Sequence, residues 1–262
     1  MIRKHFEGIS TVTENLTERE QEIIDFLAED SALTVADISR RLEVSTVTVR
    51  NDLTGLAEKG FIVRTHGGAF PAFHRSILDR QRDRIKIKAR IARLAAGLVN
   101  DGDGIMIEAG TTTALVAKYL LGKRDIHVVT NSTLVIPYAR FNPTIHLTVV
   151  GGEFRPPTES LVGPIALRDL AEFHVRIAFI GTDGFSLAGG LTTHLVEGAE
   201  IVRKMAAQAD RTILVADSSK WDKVGFARVL PMDGIDTLVT DAELNPEVGA
   251  DLRALGVEVM EA

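Results

Sequence analysis

The ten residues VSTVTVRNDL, Val44 to Leu53, decide how the first part of this chain is read. Laid on a helix, Val49, Leu53 and Leu56 fall at i, i+4 and i+7, and Gly60 closes the row. That is one buried stripe. Val47 stands two residues from Val49, about 200° around the axis. It points outward, in line with Asn51, Thr54 and Glu58. An exposed valine beside an asparagine and an arginine needs something to touch.

The flanking sequence supplies a frame for it. TEREQEIIDFLAED reads as a helix with Thr17 as N-cap and Glu20 completing a capping box, its apolar face carried by Ile23, Ile24 and Leu27. TVADISRRL reads as a second, capped by Thr34 with Asp37. Glu43-Val44 is a short turn, and Ser45 caps the third helix. Two capped helices joined by about three residues describe a helix-turn-helix. FIVRTHGGAF then reads as a strand, a turn at His66-Gly67-Gly68 and a return strand, which is a wing. The DNA-binding domain is expected over residues 16–72 and a linker over 73–82.

If the third helix enters a major groove, its outward face makes sense. An apolar side chain at Val47 packs on a thymine methyl, Asn51 pairs with adenine, and Arg50 reaches guanine or a phosphate. Ser45 and Thr46 meet backbone phosphates. The candidate contacts are Ser45, Thr46, Val47, Thr48, Arg50, Asn51 and Thr54, with Arg64 and His66 on the wing. Plainer readings stand beside these. Val47 can pack on the first helix or on a second subunit, and Arg50 can pair with Glu43 or Asp52.

Composition sets outer limits. The chain has 262 residues, 45% apolar and 25% charged, which is ordinary for a globular protein. No apolar run reaches the ~20 residues of a membrane span. The opening MIRKHFEGISTVTEN has no apolar core of a secretory signal. With no cysteine, disulfides and thiolate zinc sites are excluded. A cytoplasmic protein is expected. The net charge of −6 argues against a DNA binder, but its distribution does so less. Residues 76–100 carry +5, and residues 40–66 a local +2 from Arg40, Arg41, Arg50, Lys59 and Arg64.

From about Asp83 to Val99 the pattern predicts an amphipathic helix with Ile87, Ile91, Leu94, Ala95 and Leu98 on one side. Beyond Asn100, apolar runs (GIMIEAG, HVVTNS, HLTVVGG, IAFIGTDG, ILVADSSK, DTLVTD, VEVM) alternate with helical stretches such as TTTALVAKYLL and VEGAEIVRKMAAQA. That predicts an α/β fold with a Rossmann-like parallel sheet covered on both faces, over residues 83–262.

Five of the runs end in small polar turns: EAGTTT, TNS, VGGEF, GTDG and DSSK. In an open parallel sheet the ligand crevice lies beyond the carboxyl ends of the strands, so these turns can converge. Gly110 followed by Thr111, Thr112 and Thr113 suits a phosphate at a helix N-terminus. Lys220 supplies a cation. Glu108 and Asp183 can accept from sugar hydroxyls. Thr130, Asn131, Gly151 and Gly152 complete the candidate effector site. Each piece also has a bland reading: a Gly-Thr-Thr turn is often only a helix cap, and a lone lysine is often only solvated. The seven histidines show no HExxH or HxxxH spacing, so no metal is expected. No GxSxG, GxGxxG or P-loop pattern occurs, and no cofactor is expected.

VSTVTVRNDL, the wing VRTHGGA, and then EAGTTT, TNS, VGG, GTDG, GGLTTH and VADSSK in that order resemble the DeoR family of bacterial transcriptional regulators. The likeness runs from about Leu16 to the C-terminus. VSTVTVRNDL and GGLTTHLVEGAEIVRKM look most like regulators of N-acetylgalactosamine use. The resemblance implies a winged helix-turn-helix joined to a sensor similar in fold to ribose 5-phosphate isomerase and glucosamine-6-phosphate deaminase. It implies that a phosphorylated sugar releases a repressor from its operator. Two positions depart from the family pattern. The usual arginine pair of the recognition helix is Arg50-Asn51, and Glu108 stands where Asp is usual. A homodimer or homotetramer is expected, because such proteins read paired half-sites. The competing reading is a sugar-phosphate isomerase or deaminase carrying a DNA-binding domain, with Glu108 or Asp183 as base.

Overall fold

The computed structural model describes residues 16–30, 32–59, 61–65, 68–73 and 75–262. The described residues up to 85 form one compact unit, and residues 86–262 form the other.

The first unit contains helices α1 (Glu18–Glu29), α2 (Val35–Leu42) and α3 (Thr46–Glu58), strands β1 (Ile62–Arg64) and β2 (Ala69–Pro71), and helix α4 (Arg75–Arg82). Both expected capping boxes form, Thr17 with Glu20 and Thr34 with Asp37. Each satisfies two backbone donors that the helix leaves open. Ile23, Ile24, Leu27, Ile38, Val49, Leu53 and Leu56 build the core. β1 and β2 pair antiparallel, and Thr34 bridges to Gly68. Gly60, expected to stop α3, lies outside the described residues; the helix ends at Glu58 with Lys59 as C-cap. Lys59 Nζ lies 2.7 Å from Glu20 Oε1 and ties the end of α3 to the start of α1. Burial pushes the Glu20 carboxyl up, but the donations from Lys59 and Thr17 outweigh it and hold the group below its usual range.

The expectation of a linker over 73–82 does not hold. Residues 75–82 form α4, and its Leu78, 1% exposed, belongs to the core of the first unit. RSILDRQR reads as polar because one apolar pair sits among charges; a single buried pair is enough to dock a two-turn helix.

The second unit begins one residue into α5 (Ile85–Ala96). Its buried stripe is Lys88, Ile91, Ala92, Ala95 and Ala96. The expected stripe is thus rotated: Ile87, Leu94 and Leu98 are only half-buried. Small alanines allow a closer approach than the larger side chains, so they take the inner position.

The elements that follow are β3 (Gly104–Ile107), α6 (Thr111–Lys118), β4 (Ile126–Thr130), α7 (Ile136–Arg140), β5 (Ile145–Val149), β6 (Glu153–Arg155), β7 (Ser160–Val162), α8 (Pro164–Ala171) and β8 (Val175–Ile180). Then come β9 (Gly184–Ser186), β10 (Gly190–Thr193), α9 (Val196–Ala207), β11 (Ala209–Val215), β12 (Ala227–Arg228), β13 (Thr237–Thr240), α10 (Pro246–Ala254) and β14 (Glu258–Glu261). All seven expected strands enter one sheet, in the order β14-β13-β11-β8-β3-β4-β5. Every pair in it is parallel. Met106, Ala178, Leu214 and Leu238 join one core with α8, α9 and α10 residues such as Leu170, Val202 and Leu252. The alternating Ile105, Ile107, Phe179 and Ile213 are all 0% exposed, so the other face is covered too. Two small antiparallel sheets, β6-β7 and β12-β10-β9, were not expected from the sequence.

Candidate functional site

The outward face of α3 is as its periodicity demands. Val49, Leu53 and Leu56 are 0% exposed, while Val47 is 61% exposed. Thr46, Arg50, Asn51 and Thr54 are exposed beside it, and Thr48 is half-buried. Ser45 caps the helix: its Oγ accepts from Thr48 N at 3.1 Å and lies 2.8 Å from Thr48 Oγ1. The plainer reading of Arg50 fails for Asp52. That carboxylate takes a two-pronged ion pair from Arg19, at 2.7 and 3.0 Å. Val47, 61% exposed, is likewise not buried against α1. Arg64, read as a groove or backbone contact, is exposed and also reaches α3. Its Nη1 donates to Thr54 Oγ1 at 3.1 Å and Arg50 O at 3.3 Å, which fixes β1 against the recognition helix. His66 lies outside the described residues.

This face makes a specific prediction. Asn51→Ala should cost roughly 1–3 kcal/mol of operator affinity and relax preference at one base pair. Competition against randomised DNA is the measurement; equal losses on operator and random DNA would show that Asn51 reads no base.

In the second unit the chain winds outward from β3 to β4 and β5, then returns to the other side of β3 at β8. The turns after β3 and β8 therefore flank the point where strand order reverses, the position at which such sheets open a ligand crevice. Glu108, just after β3, spans it: its Oε2 accepts from Gly181 N, just after β8, at 3.1 Å. Gly110 is the N-cap of α6 and no side chain caps the helix, so the first N–H groups of α6 face the strand ends without a side-chain acceptor. Thr111 is 8% exposed and Thr112 half-buried.

Other expected ligand groups hold the architecture. Thr113, fully buried, donates its hydroxyl to Gly110 O at 2.9 Å. Thr130 Oγ1 donates to Ile107 O at 2.5 Å and accepts from Ser132 N at 3.0 Å. Asn131 Oδ1 accepts from Ala109 N at 2.9 Å, and its Nδ2 donates to Leu161 O at 3.2 Å. Gly151 N donates to Asp169 Oδ2 at 2.9 Å. Gly152 has φ +139°, and a β-carbon there would lie 2.6 Å from Val162 O. Thr130, Asn131, Gly151 and Gly152 thus also help to seat the β6–β7 hairpin and the β3 turn. Asp183 Oδ2 accepts from Thr193 Oγ1 at 2.8 Å and His194 N at 2.9 Å. Lys220 is half-buried in the short turn after β11. The chain just beyond it packs on β9: Asp222 N donates to Phe185 O at 2.9 Å.

Sequence reading missed Glu159. Its side chain is buried, accepts from the Thr133 hydroxyl and sits against the β4 turn. Burial pushes its carboxyl up, against the donation from Thr133. No local motif marks it, because the β6–β7 hairpin brings it there. Ser132 Oγ is buried beside it with no hydrogen-bond partner. Among the described residues no helix is long and apolar enough to cross a membrane.

A winged helix-turn-helix followed by a parallel α/β unit is the architecture of a DNA-binding transcriptional regulator joined to a sensor domain. The chain belongs to the DeoR family: residues 19–71 match the DeoR-like helix-turn-helix domain and residues 83–242 the DeoR C terminal sensor domain. Its relatives include a putative aga operon transcriptional repressor of Escherichia coli O157:H7, 31% identical over 93% of each chain. The repressor GlcR of Bacillus subtilis is 34% identical over 93% of this chain and 95% of its own. The lactose phosphotransferase system repressor of Lactococcus lactis is 32% identical over 89% and 94%. Among solved structures, ribose 5-phosphate isomerase A of Methanocaldococcus jannaschii matches 53% of this chain and 55% of its own, at 20% identity and a TM-score of 0.39. The three relatives are named as repressors, not enzymes, and likeness of fold does not carry activity.

Proposed function

We propose that this protein represses a carbohydrate-utilisation operon in the cytoplasm and leaves its operator when a phosphorylated sugar fills the crevice between β3 and β8. The observation that carries the reading is the uncapped N-terminus of α6 beside Glu108 at the switch point. In it the phosphate takes the N–H groups of Thr111 and Thr112 and the ammonium of Lys220, while Glu108 and Asp183 accept from sugar hydroxyls. The name of the lactose phosphotransferase system relative supports a sugar as signal. No cofactor is needed. The protein acts as a homodimer or homotetramer, so that two copies of α3 meet paired half-sites. The sugar phosphate shifts the DNA-binding equilibrium only by its differential affinity for the two states.

Thermal unfolding of the full-length protein with a panel of sugar phosphates and their unphosphorylated parents tests this. A ligand at 100 times its dissociation constant adds about 2.7 kcal/mol. One sugar phosphate should raise the melting temperature while its parent does not. A wide panel with no shift would remove the phosphosugar reading.

A further inference from the structure

At the amino end of the sheet, opposite the crevice, the strands bring together three side chains with no part in the reading above. His127 on β4 and His146 on β5 are direct partners in the parallel register. Their rings stack with centroids 4.7 Å apart and planes 20° from parallel. Asp125, two residues before His127, points its carboxylate at both. Its Oδ1 lies 3.1 Å from His146 Nε2 and 3.7 Å from His127 Nε2. All three ligand atoms lie within 4.8 Å of one another. Asp125 holds this place from a left-handed backbone, φ 55°, which Asp tolerates better than most residues. The nearby Arg124 is turned to Asp101, its Nε 2.8 Å from Oδ2.

We infer that Asp125, His127 and His146 form a surface site for a borderline divalent cation of the zinc class. Two imidazoles and one carboxylate are the donors that select zinc over magnesium or calcium, which prefer all-oxygen shells. The carboxylate oxygen already lies within reach of both imidazoles, and rotation of the two exposed, stacked rings is needed to turn both Nε2 atoms toward one ion. Three protein ligands leave a fourth position open to solvent. The ion would clip β5, the edge strand, to β4.

The chain contains no HExxH, and the two histidines stand 19 residues apart, so strand pairing alone creates the site. Calorimetry of the full-length protein with Zn²⁺ after chelator treatment tests it. Wild type should take up one equivalent that Mg²⁺ does not displace. His127→Ala and His146→Ala should each weaken that uptake at least tenfold, and Asp125→Asn should weaken it less. Co²⁺ in place of Zn²⁺ should give visible absorption that the histidine variants lose. All three side chains are exposed, so the variants should melt like wild type in chelator. Equal Zn²⁺ uptake by wild type and by the double histidine variant would overturn the site, as would uptake no tighter than that of Mg²⁺. The sugar-phosphate panel is independent of this outcome.

Discussion

Leu53→Ala is expected to cost about 2–5 kcal/mol and to abolish binding to operator and random DNA alike. Leu53 is 0% exposed at the middle of α3, between Val49 and Leu56 on the same buried stripe. It packs in a core with Ile23, Ile24, Leu27 and Ile38 from α1 and α2. Truncation removes the transfer energy of the side chain and leaves a cavity that three short helices cannot fully close. A unit of this size holds only several kcal/mol of stability, at about 0.05–0.15 kcal/mol per residue. Most of it would be lost. The helix would then present neither Asn51 nor Val47, so loss should be uniform across sequences, unlike that of Asn51→Ala. Gel-shift titrations on both DNA types, with circular dichroism melts, measure it. Near-native operator affinity would mean that the core repacks around the gap.

Gly184→Ala should strike the sensing side instead. A β-carbon at Gly184 would lie 2.1 Å from Lys223 O and 2.4 Å from Lys223 C, both backbone atoms that no rotamer change can clear. The segment after Lys220 must shift, at a cost of about 3 kcal/mol. Gly225 shows the same close approach, since a β-carbon there would lie 2.6 Å from Thr193 C, so the segment is pressed on the strands after β8 at two points. On the proposed reading, that displacement moves Lys220 out of position for the phosphate. The variant should keep operator affinity without effector and lose release by the sugar phosphate, a repressor that does not let go. Operator titrations with and without effector read this directly. A variant with wild-type melting and wild-type release would show that the segment moves without disturbing Lys220.

Particular residues show what could be read beforehand. The α3 stripe was legible because helix period and burial coincide: Val49, Leu53 and Leu56 are inside and Val47 is out. The seven strands were legible because each is a short apolar run, five of them before a small polar turn. RSILDRQR was not legible as a helix, since charges mask its docking pair. Thr113, Thr130 and Asn131 looked like ligand groups by residue type, yet their polar atoms are engaged with Gly110, Ile107, Ala109 and Leu161. Residue type says that a group can donate or accept; only its neighbours say to whom.

The sequence by itself determined the helix-turn-helix, the outward face of α3, the alternation of strands and helices, and the family. These follow from local periodicity, caps and short ordered motifs. Only the tertiary structure decided that β8 returns beside β3, that Glu108 meets Gly181, that Glu159 reaches the β4 turn, and that His127 faces His146. Each joins residues at least 19 positions apart. Which strand pairs with which is set by long-range hydrogen bonding and core packing, and no local pattern along the chain records it.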